Sequence, residues 1–186
     1  MRAIKGSQCV IVMIDALDAF INIDFDLINL CIKEGRPVVL VVNKWDLVDV
    51  KWKEKASTFM KNQVEKSLGV LNGVPLHFIS ATESIRTKRV LDSVLDVYTG
   101  WNKRISTGLL NNWLERFKRV QKMPAREEKK LKIFYISQIK IRPPTFTVFV
   151  NDVLMVDDNY SKFVKKNFTE EFGLQGVPIR MVYRGV

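Results

Sequence analysis

The sequence predicts an α/β protein in two parts, a parallel sheet interleaved with helices over residues 1–100 and a smaller α/β module over residues 101–186. Three observations lead there. Apolar runs recur three times in the first hundred residues, each closing on a polar side chain. Helical patterns separate them. The charge is lopsided: residues 1–100 carry 13 Lys and Arg against 12 Asp and Glu, whereas residues 101–186 carry 17 against 8, so nearly all of the net +10 lies in the second part. Such asymmetry points to two modules, the basic one facing a polyanion.

The first run, CVIVMID at 9–15, and the second, PVVLVVN at 37–43, are almost continuous in Val, Ile and Leu. Strands of that composition are expected to be buried on both faces of a parallel sheet. PLHFIS at 75–80 is the third. Between them, 26–32 reads as a helix stopped at Gly35, and 55–68 as a longer amphipathic helix ending at Gly69. After the third run, 87–98 is helical, with Val90, Leu91, Val94, Leu95 and Tyr98 predicted to form one apolar face. Alternating strands and helices in this order require right-handed crossovers.

In the second part, Ser106 or Thr107 can cap a helix running to about residue 120, with Leu109, Leu110, Trp113, Leu114 and Phe117 facing inward. QKMPAREEKK at 121–130 reads as a charged loop. LKIFYISQI and TFTVFVN are strands separated by KIRPP, whose prolines exclude a central strand there. Phe134 and Tyr135 alternate along the first of them, so one can lie at the surface; stacking on RNA bases is the alternative, and packing in the core is expected for both. A helix over 160–172 and a strand over 178–183 complete a three-stranded sheet covered by helices. Gly173 and Gly176 in GLQG resemble a backbone-clamping G-x-x-G. They lie between a helix and the last strand, so a helix stop and a turn explain them better.

Several classes are set aside. No apolar run reaches 18 residues and no basic-then-apolar leader opens the sequence, so a soluble, unexported, cytoplasmic protein without a membrane partner is expected. Cys9 and Cys31 lack metal-ligand spacing and are expected as reduced core thiols. His77, the only histidine, lies in an apolar strand and is read as structural. No catalytic triad, carboxylate pair or metal constellation is visible, so no catalytic and no metal residues are assigned.

The three strand runs end in Asp15, Asn43 and Ser80. Ligands in open parallel sheets bind outside the carboxyl ends of strands. Asn43-Lys44-Trp45-Asp46 then reads as a base-recognition loop. The Asp46 carboxylate offers two acceptors side by side, matching the N1–H and N2–H donors of guanine. Adenine presents an acceptor where guanine has its N1–H, and sites built on such bonds reject the wrong partner by about 10⁴-fold. Lys44 would lay its methylene stem along the base, Asn43 would tie the loop to its neighbours, and Ser80 and Ala81 would offer a backbone N–H to guanine O6.

NKWDLV at 43–48, FISA at 78–81, NKRIST at 102–107, RPPTFTVFVND at 142–152 and GVPIRMVYR at 176–184 together resemble the C-terminal part of a Der (EngA) family GTPase. That resemblance implies a partial P-loop-GTPase-type sheet, the later half of a G domain, over 1–100, and a KH-like domain over 101–186. It implies GTP or GDP as ligand, held here through guanine only. The implied partners are the large ribosomal subunit with its rRNA, and the remaining G-domain segments or another G domain of the same protein. CVIVMI would be an interior strand whose neighbour lies outside this chain. Ala19 stands where the family usually has glycine. No G-x-x-x-x-G-K-[ST] and no D-T-A-G occurs, so the groups that hold phosphate and Mg²⁺ in phosphoryl transfer are not in the sequence. A truncated or split protein that does not hydrolyse GTP alone is expected. Two alternatives remain: an RNA-binding module with a vestigial G-domain half, or a module that docks on G domains. The cations expected to meet RNA are Lys129, Lys130, Lys132, Lys140, Arg142, Lys162, Lys165 and Lys166.

Overall fold

The computed structural model describes residues 2–18, 22–69, 71, 73–126 and 129–186, and Ala19 lies outside them. The chain divides into two compact units. One comprises Met1–Gly100 with Leu174–Pro178, the other Trp101–Gly173 with Ile179–Val186. Both are α/β.

The first unit runs α1 (Arg2–Gly6), β1 (Val10–Asp15), α2 (Asn22–Lys33), β2 (Val38–Asn43), a 3-10 turn (Trp45–Leu47), α3 (Val50–Leu68), β3 (Leu76–Phe78) and α4 (Thr87–Trp101), whose last residue is counted with the second unit. The sheet is parallel in the order β1-β2-β3. Its centre is β2, buried from Val38 to Val42 as its unbroken apolar run predicts. On one face, Val12, Ile14, Val38 and Leu40 pack with Ile28 and Cys31 of α2 and Val64 and Leu68 of α3. On the other, Val39 and Val41 are equally buried. There His77 of β3, the register partner of Val41, meets Ser93 of α4 at 2.8 Å through Nε2.

Two expectations are corrected in this unit. The run in β1 is buried on one face only: Ile11 is 44% and Met13 58% exposed. They share a face with Val39 and Val41, but β1 is an edge strand and no described helix covers them there. On α4 the buried side is Val90, Val97 and Trp101, while Leu91 and Leu95 stand about 60% exposed. Helical spacing allowed either stripe, and the docking of Ser93 on His77 selects the former.

Burial, followed by the nearby Arg89 charge, holds the His77 pKa below its ordinary 6.5. A depressed histidine leaves the unfolded chain binding more protons as pH falls, so its contribution is present above about pH 6.5 and is lost below. The first unit should therefore melt at a lower temperature as pH drops from 6.5, and His77→Gln should flatten that slope in thermal scans. An unchanged slope in the variant would remove His77 as the cause.

The second unit runs α5 (Thr107–Val120), β4 (Ala125–Arg126), β5 (Lys129–Lys130), β6 (Ile133–Lys140), β7 (Thr145–Val150), a 3-10 turn (Val153–Met155), α6 (Asp158–Phe172) and β8 (Arg180–Gly185). Ser106 caps α5, its hydroxyl accepting from the Leu109 N–H. Asp157 caps α6 in the same way at Tyr160, 2.7 Å. The sheet order is β6-β7-β8, with β6 antiparallel and β8 parallel to the central strand. Phe146 of β7, Trp113 of α5 and Phe168 of α6 form its aromatic centre, with Phe168 edge-on to Phe146 at 4.6 Å and to Trp113 at 5.0 Å.

Three expectations change here. The charged 121–130 stretch contains a short antiparallel ladder pairing Ala125 with Lys130 and Arg126 with Lys129. Leu109 is 60% exposed, because the cap at Ser106 places it on the outer side of the first turn. Phe134 and Tyr135 both face outward, at 47% and 44% exposure. The ladder between β6 and β7 shifts register between Ile133 and Tyr135, so two successive side chains escape the core.

Candidate functional site

Parallel pairing puts Asp15 and Asn43 side by side as register partners at the carboxyl ends of β1 and β2. Immediately beyond, Lys44 takes left-handed backbone, φ 61° and ψ 33°. That conformation costs a residue with a Cβ about 1–2 kcal/mol, and neighbouring contacts hold it. The Lys44 ammonium pairs with Asp15 Oδ2 at 2.5 Å. Hydrogen bonding to that ammonium holds the Asp15 carboxyl below the ordinary carboxylate range, and the same bond raises the Lys44 pKa. Asp15 Oδ1 also accepts from the Leu17 N–H at 3.0 Å.

The turn sends Trp45 back into the core, where its ring lies 4.4 Å from that of Phe78 in a cluster with Ala16, Val42 and Met60. The Trp45 N–H donates to the Ile79 carbonyl at 2.9 Å, and the Ile79 N–H to the Val42 carbonyl at 2.9 Å. The residue before Asp46 is thus fixed by packing and by backbone bonds together. Asp46 itself is the middle residue of the short turn in which Leu47 N–H returns to the Lys44 carbonyl. One carboxylate oxygen, Oδ1, is buried without a hydrogen-bond partner among the described residues. Buried acceptors are nearly always paired, so an ordered water or a bound ligand is left to supply the donor.

Asn43 joins the two loops: its Oδ1 accepts from the Ala81 N–H at 3.0 Å, and its Nδ2 points at Met13 Sδ at 3.7 Å. Ser80 lies two residues past β3, 1% exposed, bridged to Ile85 through both backbone groups. Its hydroxyl accepts from the Glu83 N–H at 3.3 Å. The 79–81 segment is therefore less free than its sequence suggests. The Ser80 and Ala81 N–H groups both have protein acceptors, so an incoming carbonyl would have to share the Ala81 donor with Asn43. Asn43, Lys44, Asp46, Ser80 and Ala81 are brought together. Asp15 and Trp45, which aim the loop, were legible only as a strand end and a variable position. Equal strand lengths in parallel register are the signal that would have paired Asp15 with Lys44.

In the second unit, Lys129, Lys130, Lys132, Lys140, Lys162 and Lys166 are exposed. Lys165 is half-buried, and burial lowers its ammonium pKa. Arg142 donates to Asn102 Oδ1 and lies 5.4 Å from the Trp101 ring centroid. Gly173 ends α6 at φ 63°, its N–H donating to Thr169, and Gly176 turns at φ 73°. Both glycines are accounted for by backbone that other residues avoid. Among the described residues no group of three or more His, Cys, Asp or Glu could hold a metal ion, and no helix is long and apolar enough to cross a membrane.

Residues 104–184 match a family described as the KH-domain-like, C-terminal part of EngA bacterial GTPase enzymes. The chain is 39% identical to GTPase Der of Rickettsia typhi and 38% identical to GTPase Der of Rickettsia prowazekii, over 184 residues in each case. Both alignments cover 98% of this chain and 41% of the relative, so the chain spans well under half the length of the curated relatives it matches. Among solved structures it is similar to Era in complex with MgGDPNP and a segment of 16S ribosomal RNA. That similarity has a TM-score of 0.45 and 16% identity, and covers 98% of this chain and 66% of the other.

Proposed function

We propose that this chain, which matches the C-terminal region of the Der (EngA) GTPases along 98% of its length, is the guanine-reading part of a G domain joined to a KH-like module, and that it serves in assembly of the large ribosomal subunit. The observation that carries the nucleotide reading is the orphaned Asp46 Oδ1 on a loop whose other atoms are fixed. Guanine N1–H and N2–H are donors of the spacing that this carboxylate accepts; because Oδ1 is closed to solvent, a small shift of the Asp46 side chain or its cover must admit them. Lys44 keeps its stem free because only its terminal nitrogen is tied to Asp15. Asn43 sets the distance between the two loops through Ala81. Bound GTP or GDP would supply its base to these residues; the sequence has no phosphate-cradling motif, so the fit concerns the base alone.

The test is amide-resolved NMR of the chain titrated with GMP and, separately, AMP. Shifts confined to 43–47 and 79–82 with GMP, and their absence with AMP, are expected. Equal responses to both nucleotides would overturn base recognition.

The alternative, an RNA-binding or G-domain-docking module with a non-hydrolysing G-domain half, is favoured by the exposed lysines of the second unit. If this surface engages about four phosphates of rRNA, log Kobs should fall with log salt at a slope near −3. Filter binding of the chain to rRNA across a salt series reads this directly. A flat dependence, or no binding at low salt, would leave docking on protein as the role of the module.

A further inference from the structure

A cleft of about 350 Å³ opens in the second unit between α5 and the start of β6, lined by Lys118, Lys130, Lys132 and Phe134 among others. Its construction is specific. Leu131, 1% exposed, is sunk in the core between the two exposed lysines, and its N–H donates to the Pro124 carbonyl at 2.8 Å. Asn151 fixes the backbone on either side: its Oδ1 accepts from Lys132 N–H at 2.8 Å and its Nδ2 donates to the Lys130 carbonyl at 3.1 Å. Lys118 is already engaged with Glu115 at 2.5 Å, so among the described residues the cations of the cleft without an acidic partner are Lys130 and Lys132.

Next to these cations the bulge in β6 turns Phe134 and Tyr135 out together. Tyr135 stacks on Phe149 at 4.1 Å and 16°, and Arg184 is the register partner of Phe149 on β8. A cross-strand aromatic pair stabilises a sheet by itself, which accounts for Tyr135. It does not account for Phe134, left half in water beside two lysines whose backbone one asparagine holds. Exposed rings interleaved with cations are how single-stranded nucleic acid is held, bases on the rings and phosphates on the ammonium groups.

We propose that this cleft and its aromatic step bind single-stranded RNA, with backbone phosphates on Lys130 and Lys132 and a base stacked against Phe134 or Tyr135. The inference rests on the RNA-binding reading given above and assigns it a site. It is tested by fluorescence anisotropy of a labelled oligouridine with the whole chain at low salt. Phe134→Leu with Tyr135→Leu keeps the apolar bulk and removes the π faces; it should weaken binding by about tenfold or more, while Tyr135→Phe binds as the parent does. Lys130→Gln with Lys132→Gln should reduce the salt slope by about 1.4, two phosphates at about 0.7 each. Melting curves of the variants confirm that they are folded. If the parent binds oligouridine and the leucine variant binds equally well, the site is overturned while the RNA reading stands. If the parent does not bind, both fall, and capture of polyglutamate lost in the lysine variant would assign the cleft to an acidic protein segment.

Discussion

Asp46→Asn is expected to exchange guanine for xanthine, with a change in relative affinity on the order of 10⁴-fold. The aspartate presents acceptors to both N1–H and N2–H of guanine. The amide keeps one acceptor for N1–H and turns a donor toward position 2, where xanthine carries a carbonyl and guanine an amino group. Guanine then faces a donor with a donor in a desolvated loop, and both stay unpaired. The comparison belongs in a protein carrying this chain together with phosphate-binding G-domain segments, read by competition of GDP and XDP for a labelled nucleotide. Because Asp46 Oδ1 makes no bond among the described residues, the same substitution should leave the melting temperature of the chain nearly unchanged. Guanine preference surviving in a folded variant would remove Asp46 as the base reader.

Phe168→Ala should cost about 3–5 kcal/mol of stability in the second unit. The ring is fully buried and touches Phe146, Trp113 and Phe172 with centroids at 4.6, 5.0 and 4.7 Å. Its loss empties the place where α5, α6 and β7 meet. A module this small has little stability in reserve, so the variant is expected to be largely unfolded at physiological temperature. Leu109→Ala is the control: the sequence puts Leu109 in the core, but it is mostly in water and should change stability by no more than about 0.5 kcal/mol. Urea denaturation followed by near-ultraviolet circular dichroism separates them. Similar midpoints for the two variants would mean that the packing around Phe168 does not hold the unit together.

What could be read from the sequence depended on how many faces of an element are buried. Val38–Asn43 is central in its sheet, and its composition announced that without help from any neighbour. The place of the loop was legible too, since Asn43, Lys44 and Asp46 follow directly on that apolar run. Leu91, Leu95 and Leu109 were placed inside because helical period marks a stripe but not which stripe finds a partner. Phe134 was placed inside because a bulge is a property of two strands, and its register is set by Phe149 and Val150 fifteen or so residues further on. The Asn43–Ala81 bond spans 38 residues. No local pattern reveals that it occupies the N–H otherwise free for a base.

Synthesis adds an order in time to the way the first unit is assembled. Its sheet and helices lie within residues 2–101, yet the piece Leu174–Pro178, whose Gly176 N–H bonds the Leu71 carbonyl at 3.2 Å, emerges after more than seventy residues of the other unit. The nascent chain leaves the first unit at Gly100 and returns to it at Leu174. Until that return, the first unit waits with one contact segment still unmade, and contacts so far apart in sequence close late. A stop codon placed between the two points would therefore yield a first unit lacking its last piece, however well the sheet had formed before it.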